Sequence, residues 1–270
     1  MTRVIVCGGC GKMASSAAKM IYQDKSLILS HIVEAPGHTA IGKDWGRYIG
    51  IGEAQVPISD DLSAVLSKGD VVVDFTNPEA TMNHLSICSK QHKAMIIGTT
   101  GLSEDQQEQI EISSHKIPIV FSPNMSTGVN VLFELVRQVS SVLDDQYDIE
   151  IIETHHRYKK DAPSGTAKKI ADIIAAERDI HLADKAVYGR HGHTGLRKKG
   201  EIGIHAVRAG HIAGEHTVIF NSSGERIELT HKAYGKESFA MGTVKAAKFI
   251  VNYAKGLFDM KSVLQMGKID

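Results

Sequence analysis

Arg3-Val4-Ile5-Val6-Cys7-Gly8-Gly9-Cys10-Gly11-Lys12-Met13-Ala14 is the stretch that decides the fold. The apolar run up to Cys7 reads as a short buried strand. A glycine turn follows at once. A helical pattern then begins, with Met13, Ala17, Met20 and Ile21 near one face. Strand, glycine turn and helix in this order open a dinucleotide-binding unit. Gly8 allows the tight turn, and Gly11 lets a pyrophosphate approach the backbone at the helix N-terminus. Ala14 replaces the last glycine of the fingerprint, where helix–strand packing needs only a small residue. The expected phosphate cradle is therefore Gly8, Gly9, Cys10, Gly11, Lys12 and Met13.

A glycine turn alone is a weak signal, but its context strengthens it. A second apolar run, Leu27 to Val33, ends at Glu34. An acidic residue about 20 positions past the turn can bind the ribose hydroxyls of the adenosine. Cys7 and Cys10 have Cys-x-x-Cys spacing, which occurs in redox and metal sites. The remaining cysteine is Cys88, so no second pair completes a metal site. Both residues sit where backbone must meet phosphate. They are expected to fill the turn, and no metal is expected.

Composition excludes several classes. The 270 residues include 31 basic and 31 acidic side chains, so the net charge is zero. No basic stripe for nucleic acid stands out, and Arg197-Lys198-Lys199 reads as a solvated loop. Three cysteines do not make a disulfide framework and fit a reducing cytosol. There is no apparent signal peptide, and no apolar run approaches the ~20 residues of a spanning helix. A cytoplasmic protein with no membrane or nucleic-acid partner is expected.

Strand and helix patterns alternate through the first half. Asp70–Phe75 reads as a strand and Glu79–His92 as a helix. The strand Ala94–Ile97 ends in Gly98-Thr99-Thr100-Gly101. A helix from Ser103 to His115 leads to the strand Ile117–Phe121, which Ser122-Pro123-Asn124-Met125-Ser126 closes. Polar turns after successive strands are where an open parallel sheet binds its ligand. A helix over Val129–Leu143 follows, and then the pattern changes. Asp148–His155 reads as a strand, Ala167–Ile180 as an amphipathic helix, and 184–200 as a long exposed loop. Ile202–Ala209, Glu215–Phe220 and Arg226–Ala233 alternate like antiparallel strands of an open sheet with one helical face. Residues 238–256 read as a final helix. The fold class is α/β: an N-terminal Rossmann-type domain plus an α+β domain with an open mixed sheet.

The chemistry concentrates in Glu153-Thr154-His155-His156-Arg157-Tyr158-Lys159-Lys160-Asp161-Ala162-Pro163-Ser164-Gly165-Thr166-Ala167. Imidazole exchanges a proton near neutral pH. An ammonium holds a carboxylate, or yields a proton if its pKa is lowered. A Ser-Gly-Thr turn that opens a helix offers N–H groups to an anion. Together they describe a site that grips an acidic small molecule and moves a proton.

These residues resemble the dihydrodipicolinate reductase (4-hydroxy-tetrahydrodipicolinate reductase) family almost end to end. The resemblance rests on the glycine turn with Lys12-Met13, on Gly98-Thr99-Thr100-Gly101, and on Asn124 to Asn130. It rests most on Glu153 to Ala167, and also on His205 to Gly210 and Gly214 to Thr217. It implies a dinucleotide-binding domain, 1–126 with 236–270, and a substrate domain, 127–235, that assembles a homotetramer. It implies reduction of a cyclic, unsaturated dicarboxylic acid by NADH or NADPH in the diaminopimelate route to lysine. The nicotinamide is then expected near Gly98, Thr99, Thr100, Ser122, Pro123, Asn124 and Met125. Hydride addition to a conjugated imine leaves an enamine that must gain a proton. His155 fits the general acid and Lys159 its partner. His156 would bind substrate, and the Ser164-Gly165-Thr166 turn would clamp a carboxylate. His205, Arg208 and His216 are assigned packing and no chemistry. Family members that favour NADPH often carry an arginine after the acidic residue; here Ala35 follows Glu34. NADH is therefore expected to serve at least as well, with Lys12 leaving dual use open.

Rival readings share only parts of this pattern. A semialdehyde or amino-acid dehydrogenase would not need the His-His-x-x-Lys run. Adjacent His155 and His156 on a strand point to opposite faces, which disfavours joint ligation in a zinc hydrolase. A dinucleotide sensor would not need the His155/Lys159 pair.

Overall fold

Residues 1–266 are described by the structure, a computed structural model. The strands among them are β1 (Thr2–Cys7), β2 (Leu27–Val33), β3 (Ile58–Ser59), β4 (Val71–Asp74), β5 (Ala94–Ile97), β6 (Pro118–Phe121), β7 (Asp148–His155), β8 (Ala186–Tyr188), β9 (Ile202–Arg208), β10 (Gly214–Asn221), β11 (Arg226–Ala233) and β12 (Gly256–Phe258). The chain divides into two compact units: Met1–Thr127 with Lys236–Asp270, and Gly128–Gly235. Positions 267–270, part of the first domain implied by the resemblance, lie outside the described residues.

The first unit holds a seven-stranded parallel sheet in the order β12-β6-β5-β4-β1-β2-β3. Alternate residues of a strand face opposite sides. Val4 and Val6 of β1 enter one core with Val71, Val73 and Ile96, while Ile5 enters another with Val72, Met95 and Ile97. The helices Lys12–Gln23 and Glu237–Ile250 cover the first face, and Pro78–Lys90 and Glu104–Ser114 the second. Burial on both faces is why these strands read as unbroken apolar runs. Strand order reverses between β1 and β4, the switch point at which such sheets bind ligands.

The second unit holds a five-stranded mixed sheet in the order β11-β10-β7-β9-β8. The helices Thr127–Val142 and Gly165–Glu177 pack on one face through Leu132, Val136, Ile170 and Ile174. They meet Ile149, Ile151, Ile202, Ile204, Val218 and Phe220 of the sheet.

Three details depart from the sequence reading. β9 is not antiparallel to its neighbours: it runs parallel to β7 and β8, and β10 pairs with β7 instead. The Gly165–Glu177 helix carries the chain back along the sheet to β8, and residues 189–201 carry it back again, so β8 and β9 both enter in β7's direction. Residues 184–200 are not all loop, because β8 adds a strand there, and Arg197 is not simply solvated. Its guanidinium donates to Asp148, Glu150 and the Ile149 and Glu201 carbonyls. The last long helix ends at Ile250, where the Asn252 amide donates to the Lys248 and Phe249 carbonyls. β12 then joins the sheet beside β6.

Candidate active site

The period-two alternation of β7 builds the candidate site of the second unit. Ile149, Ile151, Glu153 and His155 are its buried positions, so a core-forming face carries an acid and an imidazole at its C-terminal end. β10 repeats the pattern: His216, Val218 and Phe220 are buried, and His216 sits opposite Glu153. On the other side Arg208 of β9 lies in register with His155. Three strands thereby converge on one buried carboxylate.

Glu153 is fully buried and saturated. Its Oε2 accepts from Arg208 Nη1 at 2.8 Å and pairs with His155 Nδ1 at 2.6 Å. Its Oε1 accepts from Arg208 Nη2 at 2.8 Å and from the Ser164 N–H at 3.0 Å. Burial pushes its pKa up, but the bonds from Arg208, His155 and Ser164 bring it below the usual carboxylate range. Burial pushes His155 down more than Glu153 holds it up, and Lys159 and Arg208 add to the fall. His155 is therefore largely neutral at pH 7. Its Nε2 makes no protein hydrogen bond among the described residues. A Cβ at Gly214 would lie 3.0 Å from that nitrogen, so glycine keeps its flank clear. His216 meets His155 edge to face at 5.2 Å. Burial, reinforced by repulsion from His155 when that ring is protonated, drops the His216 pKa to about 4.

Ser164 N-caps the Gly165–Glu177 helix: its hydroxyl accepts from the Ala167 N–H at 3.2 Å and lies 3.0 Å from His216 Nε2. It is buried, so the exposed edge of this turn is Gly165, with the half-buried Thr166 beside it. A Cβ at Gly165 would meet nothing within 4 Å. Lys159 is paired to Asp161 at 2.9 Å. His156 is half-buried, and its Nδ1 is buried without a hydrogen-bond partner.

In the first unit the expected cofactor residues lie at the C-terminal ends of β1, β2, β5 and β6. Gly8 has φ +74°, and a Cβ on Gly9 would lie 2.6 Å from Ile32. Both positions therefore need glycine. Gly11 is the N-cap of the Lys12–Gln23 helix and supplies no side-chain bond, which leaves first-turn N–H groups for an anion. Glu34 Oε1 accepts from the Cys10 N–H at 2.6 Å, which turns its carboxylate toward the glycine turn. Burial and Glu34 push the Cys10 thiol up to about 12, so it is no thiolate. The indole Nε1 of buried Trp45 donates to the Gly9 carbonyl at 3.0 Å. These features fit a dinucleotide.

Asp74, at the end of β4, went unnoticed in the sequence. Its buried carboxylate accepts from the Thr76 N–H and from the hydroxyls of Thr76, Thr81 and Thr99, and pairs with His84 at 2.6 Å. Thr99 is thus anchored inward, while Gly98 and Thr100 are the less buried parts of that turn. Cys7, Asp74 and His84 are close enough to share an ion. The carboxylate is already filled, however, and burial raises the Cys7 thiol well above its ordinary range. In the last turn, Ser122 donates to the Asn124 carbonyl at 2.8 Å, Pro123 is exposed and Met125 enters the core.

Comparison with known proteins bears on the family of the chain. Residues 2–125 match the family described as dihydrodipicolinate reductase, N-terminus, and residues 128–264 match dihydrodipicolinate reductase, C-terminus. A 4-hydroxy-tetrahydrodipicolinate reductase of Syntrophus aciditrophicus (strain SB) is 44% identical over 264 residues, covering 98% of each chain. One from Hahella chejuensis (strain KCTC 2396) is also 44% identical, over 98% of this chain and 99% of its own. The dipicolinate-bound dihydrodipicolinate reductase of Paenisporosarcina sp. TG-14 superposes with a TM-score of 0.78 at 25% identity, covering 96% of this chain and 97% of that one. With both halves matched and identity sustained over nearly the whole length, the chain belongs to the dihydrodipicolinate reductase family.

Proposed function

We propose that this chain reduces 4-hydroxy-tetrahydrodipicolinate to tetrahydrodipicolinate with NADH or NADPH, the 4-hydroxyl leaving as water to give the conjugated imine that takes the hydride, in the diaminopimelate route to lysine. The observation that carries the reading is His155: a neutral imidazole with one nitrogen held by Glu153 and the other without a hydrogen bond among the described residues, beside an N-capped helix that can receive a carboxylate. When bound, the nicotinamide supplies a hydride. The protein's part is to hold the dicarboxylate and deliver a proton to the reduced ring. Gly165 and Thr166 at the helix N-terminus bind one carboxylate through backbone N–H groups, and Ser164 shapes that turn. His156 contributes a further polar contact. His155, once its Nε2 has taken up a proton, passes that proton to the reduced ring, and Lys159 stabilises the negative charge of the substrate and supports proton supply.

Glycines 8, 9 and 11, with Cys10, Lys12 and Met13, hold the pyrophosphate. Gly98 to Thr100 and Ser122 to Met125 line the nicotinamide end. Glu34 accepts ribose hydroxyls and repels a 2′-phosphate, so NADH is used at least as well as NADPH. A homotetramer in the cytosol completes the reading, and light scattering would test the assembly state.

The test is to add freshly made substrate to protein and NADH and follow the loss of nicotinamide absorbance. Oxidation should require the cyclic dicarboxylate. Robust turnover of a simple aldehyde or 2-oxo acid, with none of the cyclic compound, would overturn the assignment.

A further inference from the structure

We infer that Glu153, clamped by Arg208, is the positioning residue that fixes the tautomer of His155, holding the proton on Nδ1 and keeping Nε2 for the substrate. The inference rests on the reading of His155 as the proton donor.

The geometry carries it. Each carboxylate oxygen of Glu153 has two neighbours. Oε1 faces Arg208 Nη2 and the Ser164 N–H, donors that cannot become acceptors. Oε2 faces Arg208 Nη1 and His155 Nδ1. The imidazole nitrogen is the one neighbour of the four whose role can reverse, and an ionised acceptor opposite it selects Nδ1–H. Neutral His155 then has an unprotonated Nε2. Protonation there gives an imidazolium stabilised by Glu153, and transfer to substrate restores the same tautomer. Arg208 also donates to the Asp161 carbonyl at 2.7 Å, which ties the clamp to the loop bearing Lys159.

Glu153→Gln tests this, because the amide must choose an orientation. Turning its NH2 toward Oε1's neighbours sets it against two fixed donors. Turning it toward Oε2's neighbours sets it against Arg208 Nη1 and an imidazole that can surrender its Nδ1 proton. The second is less costly, so E153Q should force His155 into the Nε2–H form. The other ionisable groups around His155 are unchanged by the substitution: Arg208 on β9, His216 on β10 with His231 behind it on β11, and Lys159 with Asp161 on the following loop.

The experiment uses the full chain with 15N-labelled histidine. Imidazole 15N–1H spectra should show Nδ1–H for His155 in the wild type and Nε2–H in E153Q. In E153Q, kcat/KM with NADH should fall by about 10²–10⁴-fold. Its alkaline limb, where His155 loses its proton, should move to lower pH by about one unit or more, because the imidazolium loses its counter-charge. NADH affinity should hold, since the cofactor residues are elsewhere. A wild-type His155 protonated on Nε2, or an E153Q protein with unchanged tautomer and pH limb, overturns the inference. If E153Q does not fold, the wild-type spectrum decides it alone. His155→Gln separates the two levels. An active H155Q overturns the proton-donor reading and the inference with it. An inactive H155Q beside an unaltered E153Q profile overturns the role of Glu153 alone.

Discussion

The residues proposed for proton transfer and those proposed for cofactor binding make separable demands on the same protein. His155→Ala and Lys159→Ala should each lower kcat by roughly 10²–10⁴-fold, the usual range for losing a proton-transfer group. NADH dissociation constants should barely move, because neither residue belongs to the glycine-turn unit. Retention of more than about a third of wild-type kcat would remove that residue from the mechanism. The proposed cofactor choice turns on Glu34 and Ala35. Ala35→Arg should shift the kcat/KM ratio toward NADPH by offering a guanidinium to the 2′-phosphate. The shift should shrink at high salt, where exposed charges are screened. A tenfold or larger wild-type preference for NADPH, about 1.4 kcal/mol, would mean that another cation outweighs Glu34. His155, Lys159 and Glu34 could be proposed from one sequence because their neighbours along the chain mark them. The contacts of Glu153 could not be foreseen, although it heads the same motif. Its partner Arg208 lies 55 residues away, and only the β7–β9 register brings the two together.

Elements were legible in proportion to their length and period. β1, β4 and β5 are buried on both faces and read as apolar runs, whereas β3 and β8 are too short to establish any alternation. The direction of β9 was also hidden, since alternation looks the same in parallel and antiparallel strands. The helix Glu237–Ile250 illustrates what propensity misses. Gly242 lies in its interior, where alanine would ordinarily gain about 1 kcal/mol. Here a Cβ would sit 1.7 Å from the Met125 carbonyl oxygen, in the turn after β6. Gly242→Ala should therefore destabilise the protein, by roughly 1–3 kcal/mol for an overpacked site. A lowered urea midpoint in the variant is the expected result. An equal or raised midpoint would show that the helix can slide away from the turn.

At the scale of the whole molecule, acid sensitivity follows from histidines buried neutral. His216 has a folded pKa of about 4 against an ordinary 6.5. The unfolded chain takes up that proton below pH 6.5, while the folded chain resists it. Stability from this group is thus complete above pH 6.5 and is lost as pH falls toward about 4, by up to about 1.4 kcal/mol per pH unit. His31, His155 and His231 are shifted in the same direction and add to the slope. Chemical denaturation at several pH values should show this loss, and His216→Gln should flatten it without abolishing it. A variant as acid-sensitive as the wild type would assign the slope elsewhere.

The chain contains a single tryptophan, and it is Trp45, whose indole is hydrogen-bonded to the Gly9 carbonyl. All indole emission from this protein thus originates against the turn expected to receive the pyrophosphate. A nucleotide that shifts the Gly9 peptide perturbs that emission directly, and a reduced nicotinamide can also quench it by energy transfer. The molecule carries its own optical reporter, able to register occupancy in variants that no longer turn over.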